Sequence, residues 1–173
     1  VMAIINEGGI FNPETLELIY DLNSQIENLP NVDIDRVTSL ATESNIYGDE
    51  YGMVVEDFFD PHPPETQEEA DKIKTAIEKL PLYQGNLVSR DHTATLIIAE
   101  LIDEEQAEET YRNFMEIADS ALIRNGEKIH VAGEGAITGY LGAYIDNDAQ
   151  RLNPMAGVII TIILFIAFRT IRG

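Results

Sequence analysis

The sequence predicts an α+β fold of two split βαβ units followed by a C-terminal helix of near-membrane length. Three observations point there. Helical runs that carry their own start signals alternate with short β-branched runs. Tight turns between neighbouring short strands favour mixed sheets over a wholly parallel one. The last apolar stretch, Met155 to Phe168, holds no charged residue and a single hydroxyl, Thr161.

The elements follow in order. "MAIINEGGIF" reads as a short strand and a Gly-Gly turn. It has neither the basic region nor the small-residue cleavage site of a secretory signal. A helix then opens at Asn12, a good cap, with Pro13 at the first helical position and Glu14 at the positive end of the dipole. Leu16, Ile19, Tyr20 and Ile26, with Leu22 or Leu29, supply its apolar stripe, and Pro30 ends it. "VDIDRVTSLAT" is a partly alternating strand, "YGDEYG" a turn, and "GMVVEDFF" a further strand. A proline-rich linker at residues 60–65 is the seam between the two units. Thr66 and Glu69 have capping-box spacing at the start of the second helix, whose stripe is Ala70, Ile73, Ile77 and Leu80. "GNLVSRDHTATLIIAELI" predicts a hairpin with strands 86–89 and 93–102 around Arg90–Asp91. A helix over 104–124 presents Ala107, Tyr111, Phe114, Met115, Ala118 and Leu122, with Gly126 as its stop. "KIHVAG" is a last strand, and "GAITGYLGAYIDNDAQRL" a helix leading into the tail.

The tail reads best as a membrane span. The apolar residues from Val158 to Ile166 leave no polar face, and a helix apolar all round must be enclosed by protein or by lipid. Leu152 to Phe168 gives roughly 25 Å of helix against a hydrocarbon core of about 30 Å, a gap that snorkelling arginines can close. Arg169 and Arg172 suit a cytoplasmic end, which leaves the preceding body outside.

That body is acidic. Residues 1–150 hold all 31 Asp and Glu but only eight of the 11 Lys and Arg, a charge of about −23. Such a surface repels phosphate backbones, so no nucleic acid is expected as a partner. The absence of cysteine excludes disulfides, thiolate metal sites and cysteine nucleophiles. His62, His92 and His130 have no partner at metal-ligand spacing and read as surface or loop histidines. No phosphate loop, dinucleotide fingerprint or nucleophile elbow occurs, so neither a catalytic residue nor a cofactor is expected. The acidic runs 65–71 and 103–109 fall at helix starts, where carboxylates suit the dipole. Asp146 and Asp148 read as interfacial charges, with steering of a cationic or amphiphilic cargo as the alternative. In "GEGAITGYLGAY", Gly139 and Gly142 suit close helix packing; a ligand cradle is the weaker reading.

Several stretches together resemble one family. "GGIFNPETLELIYDLNSQIENLPNVDIDRVTSLATESNI" is similar to the start of the extracytoplasmic loop of RND-superfamily exporters of the MMPL-like type. "LVSRDHTATLIIAEL" is similar to a hairpin of that loop. "IHVAGEGAITGYLGAYIDNDAQRLNPMAGVIITIILFIAFRTIRG" looks like the stretch where the loop ends and enters the second transmembrane helix. The resemblance implies a ferredoxin-like porter region: residues 1–60 and 61–133 as two βαβ segments, 134–152 as a connecting helix, and 153–173 as the membrane helix with its cytoplasmic end. It implies proton-driven export of hydrophobic or amphiphilic compounds across a bacterial inner membrane, with residues 1–152 periplasmic. The partners implied are the rest of the transporter chain, the cargo, membrane lipid and a second copy in a homo-oligomer. The proton-carrying acids would lie elsewhere, and the substrate-binding residues stay unknown. A membrane-anchored interaction module without transport is the rival reading.

Overall fold

The computed structural model describes residues 1–168, with side chains apart from those at 49, 134, 138–140, 143, 146, 167 and 168. Arg169, Arg172 and Gly173, the expected cytoplasmic end, lie outside the described residues, as does the side chain of Asp146. The chain runs β1 (Met2–Ile5), α1 (Pro13–Glu27), β2 (Val32–Thr38), β3 (Ser44–Asp49), β4 (Gly52–Asp57), α2 (Gln67–Lys79), β5 (Ala94–Leu101), α3 (Ala107–Ser120), β6 (Lys128–Val131) and α4 (Glu134–Phe168). A single 3-10 turn, Glu104–Gln106, precedes α3.

It is a mixed α/β chain with antiparallel sheets. Four strands form one sheet in the order β2-β5-β1-β6, and β3 and β4 pair apart from it. β1 sits centrally, with Met2 opposite Ile97 on one side and Val131 on the other. Met2 and Ile4 are therefore fully buried. The sequence reading placed a seam at residues 60–65; strands from both sides of it lie in this one sheet. Period-2 patterning shows which face of a strand is buried but not which strand lies beside it, so interleaving is invisible in sequence.

Helices α1 and α3 pack on the sheet and on each other. The Asn12 carboxamide oxygen accepts from Thr15 N–H at 2.9 Å, and Thr66 and Glu69 form the full capping box. Leu16, Ile19, Leu22 and Ile26 bury completely, whereas Tyr20 stays partly exposed at the edge of the stripe. β2 carries a register irregularity between Val32 and Val37, which leaves Ile34 on the surface.

Three local readings change. Residues 44–49 are strand β3, so "YGDEYG" contains a strand end as well as the Glu50–Tyr51 turn. Residues 86–89 form no strand, because Tyr83 O collects the N–H groups of Asn86, Leu87 and Val88 in a turn. Their pairing with β5 survives as single bonds, such as Leu96 N–H to Leu87 O at 3.1 Å. Helix α3 ends at Ser120, not 124, since Ala121 is extended. Gly126, at φ +75°, instead serves the turn into β6, leaving Leu122 outside the helix and exposed.

The connecting helix and the tail are one continuous helix. α4 runs 35 residues through Pro154, about 52 Å at about 1.5 Å per residue. Its first turns lie against α3. A Cβ on Gly135 would meet Leu101 Cδ1 of β5 at 3.1 Å, and one on Gly142 would meet Glu108 Oε2 of α3 at 2.9 Å. The close packing expected of Gly142 is present, and Gly135 shares it.

Candidate functional site at the foot of the long helix

The residues that shape the site come from β5, β6, α3 and the start of α4. Ala99 and Leu101 end β5, Ala107 and Phe114 face them from α3, and Gly135 and Ala136 open α4. These facing positions are mostly small, so the sandwich of sheet and helix does not close at this end. A cavity of about 400 Å³ remains, within the usual range of roughly 300–1,000 Å³ for ligand sites.

Its polar groups are few and mostly engaged. Thr110 Oγ1 donates to Gln106 O and accepts from Asn31 Nδ2, each at 2.9 Å. Asn31 also closes a reciprocal pair with Asp103: Asn31 Nδ2 donates to Asp103 O, and Asp103 N–H donates to Asn31 Oδ1. This clamp ties the start of β2 to the turn before α3, so the cavity wall is held from behind. Glu100, at the rim, pairs with Arg36. Glu104, on the 3-10 turn, also lines the cavity and has no ion-pair partner among the described residues. Such a space can hold an apolar body beside a charge.

A second polar centre braces the other end of α3. Glu127 is 5% exposed and accepts from Thr15 Oγ1 at 2.7 Å, Asn125 N–H at 2.8 Å and Arg124 N–H at 3.1 Å. Burial pushes its pKa up, but the hydrogen bonds outweigh that and the net shift is downward. Asn6 Nδ2 donates to the same Thr15 hydroxyl at 2.9 Å, and Arg124 pairs with Glu17 and Asp21 on α1. These contacts lock α1 to the loop that leads into β6.

The residues singled out in the sequence are scattered. His62 lies exposed in the linker and His130 exposed on β6. His92, at φ +59°, packs edge-on against Phe11 with ring centroids 5.5 Å apart. Its Nδ1 lies 3.8 Å from Glu78 and its buried Nε2 has no hydrogen-bond partner. Among the described residues, no three His, Asp or Glu side chains gather as a metal site. The acidic runs sit at helix starts as expected, with Asp103 accepting from Glu105 N–H at 2.9 Å. Asp148 is exposed on α4, inside the membrane-length stretch rather than before it. Sequence reasoning missed the cavity, although Gly133 and Gly135 of "GEGAITGYLGAY" line it.

Beyond the foot, α4 leaves the body. Asn147–Ile166 is 20 residues long with mean hydropathy 1.6, none of it buried. It is long and apolar enough to cross a membrane, at roughly 30 Å of helix. An acidic α/β body thus runs without a break into one helix of membrane-spanning length, with a cavity at the joint. Sequence comparison gives the family. The MMPL family profile matches residues 48–172, more than two thirds of the chain, and the chain belongs to that family of RND-type transporters. No curated protein matches it. The members of that family are transporters.

Proposed function

We propose that the chain is the periplasmic porter region of a proton-driven RND-type exporter, together with the membrane helix that follows it. Residues 1–60 and 61–133 supply the two interleaved βαβ segments of a split, ferredoxin-like porter. Residues 134–152 connect it to the membrane, and 153–173 cross the bacterial inner membrane to a cytoplasmic end at Arg169–Gly173. The cargo is hydrophobic or amphiphilic, and the partners are the rest of the transporter, the surrounding lipid and a second copy of the chain.

One observation carries this reading: the cavity lies where the α/β body meets the helix that runs unbroken into the apolar segment. Any change in the cavity's width displaces the foot of α4, because Gly135 forms part of both the wall and the close packing. Rocking of the porter is then felt in the membrane, and the reverse.

The test is transport by the full-length exporter in proteoliposomes under an imposed proton gradient. Ala136→Phe, which fills the cavity, is expected to abolish export of lipophilic dyes while the protein stays folded and inserted. A full-length protein that neither binds nor moves any hydrophobic compound sinks the proposal.

A further inference from the structure

We infer that the cavity at the foot of α4 selects amphiphiles with a cationic head, and that Glu104 is the carboxylate that receives the head. The inference rests on the cargo reading above and adds a charge class to it.

The walls select the body of the ligand. Leu101, Phe114 and Val131 line an apolar slot with Ala107 and Ala136. A space of about 400 Å³ accepts one alkyl chain or one substituted ring system, not a multi-chain lipid. The rim selects the head. Among the described residues, the charged side chains that line the cavity are Glu100 and Glu104, both acidic. Arg36 already neutralises Glu100, so Glu104 is left to attract an ion from outside. Tyr111 lies on the same wall, and its ring face can add to the attraction for an ammonium.

The surroundings act the same way. Glu108, one turn further along α3 and beside Gly142, adds a carboxylate that Arg112 reaches only at 3.6 Å. The whole body is strongly acidic, which concentrates cations and depletes anions at the cavity mouth. An anionic amphiphile of the same shape meets repulsion at that rim, and a neutral one gains nothing there.

The experiment uses the chain in phosphatidylcholine nanodiscs. Three dodecyl probes carry the same chain diazirine and differ only in the head: trimethylammonium, hydroxyl or sulfate. Labelled residues are mapped by mass spectrometry. Val158–Ile166 in the bilayer is expected to label with all three, which provides an internal reference for probe dissolved in lipid. Relative to it, the ammonium probe is expected to label the cavity residues about tenfold more than the sulfate. Glu104→Gln should reduce ammonium labelling about fivefold, and Glu104→Asp should retain most of it. Equal cavity labelling by all three probes, or ammonium labelling unchanged in Glu104→Gln, overturns the charge selection and leaves the cargo reading standing. Labelling of the tail with none in the cavity overturns both.

Discussion

Replacing Val158 by arginine discriminates between lipid and protein as the environment of α4. Val158 is 58% exposed, near the middle of the Asn147–Ile166 stretch, and none of that stretch is buried. At the centre of a membrane helix, valine contributes about −0.3 kcal/mol to insertion and arginine about +3 kcal/mol. The swing of roughly 3 kcal/mol shifts the insertion equilibrium on the order of a hundredfold. On a water-facing surface the same exchange changes stability by only about 0.5 kcal/mol and improves solubility. The assay is the carbonate-resistant membrane fraction of the chain after expression, with Leu152→Arg as a control near the interface. Val158→Arg is expected to move most of the protein out of that fraction, and Leu152→Arg to move little. If the wild-type chain were monomeric in lipid-free buffer, or if Val158→Arg remained fully carbonate-resistant, the membrane assignment of α4 would be refuted.

Three further outcomes follow from the body. Glu127→Gln removes a buried carboxylate that accepts three hydrogen bonds, and is expected to cost about 2 kcal/mol in urea denaturation at pH 7. Because the folded pKa of Glu127 is lowered, its contribution is present above the unfolded carboxylate pKa and lost as pH falls through the folded one. The variant should therefore lose less stability than the wild type between pH 5 and the acid limb, and parallel pH profiles would contradict the assignment. Asn31→Ala leaves Asp103 N–H without its partner and is expected to cost about 2–3 kcal/mol, with faster amide exchange at the turn before α3. Gly135→Val drives a side chain into Leu101, and a loss of about 1–3 kcal/mol is expected. Gly157→Ala is the control, since a Cβ there meets nothing within 4 Å and should cause no loss.

Local features were legible because their signals are local. The Asn12 and Thr66 caps, the buried stripes of α1 and α2, and the acidic starts before α2 and α3 all follow from side chains three or four residues apart. The length and all-round apolarity of the tail likewise belong to one continuous segment, and so does the step from an acidic body to a basic end. These are properties of composition and period, and the sequence by itself determined them.

The sheet order was decided elsewhere. β1 lies between β5 and β6, about ninety residues or more away in the chain, and alternation in any strand is satisfied by any neighbour with a matching face. Strand 86–89 failed for a related reason: Tyr83 O captured its N–H groups before β5 could pair with them. The cavity is the most tertiary feature of all. Ala99, Ala107, Gly135 and Ala136 are unremarkable in three separate segments, and only packing places small residue opposite small residue. The carboxylate of Glu104 looks like one more dipole-matching acid in "DEEQAEE". Its place at the rim exists only because β5 delivers the 3-10 turn to the foot of α4.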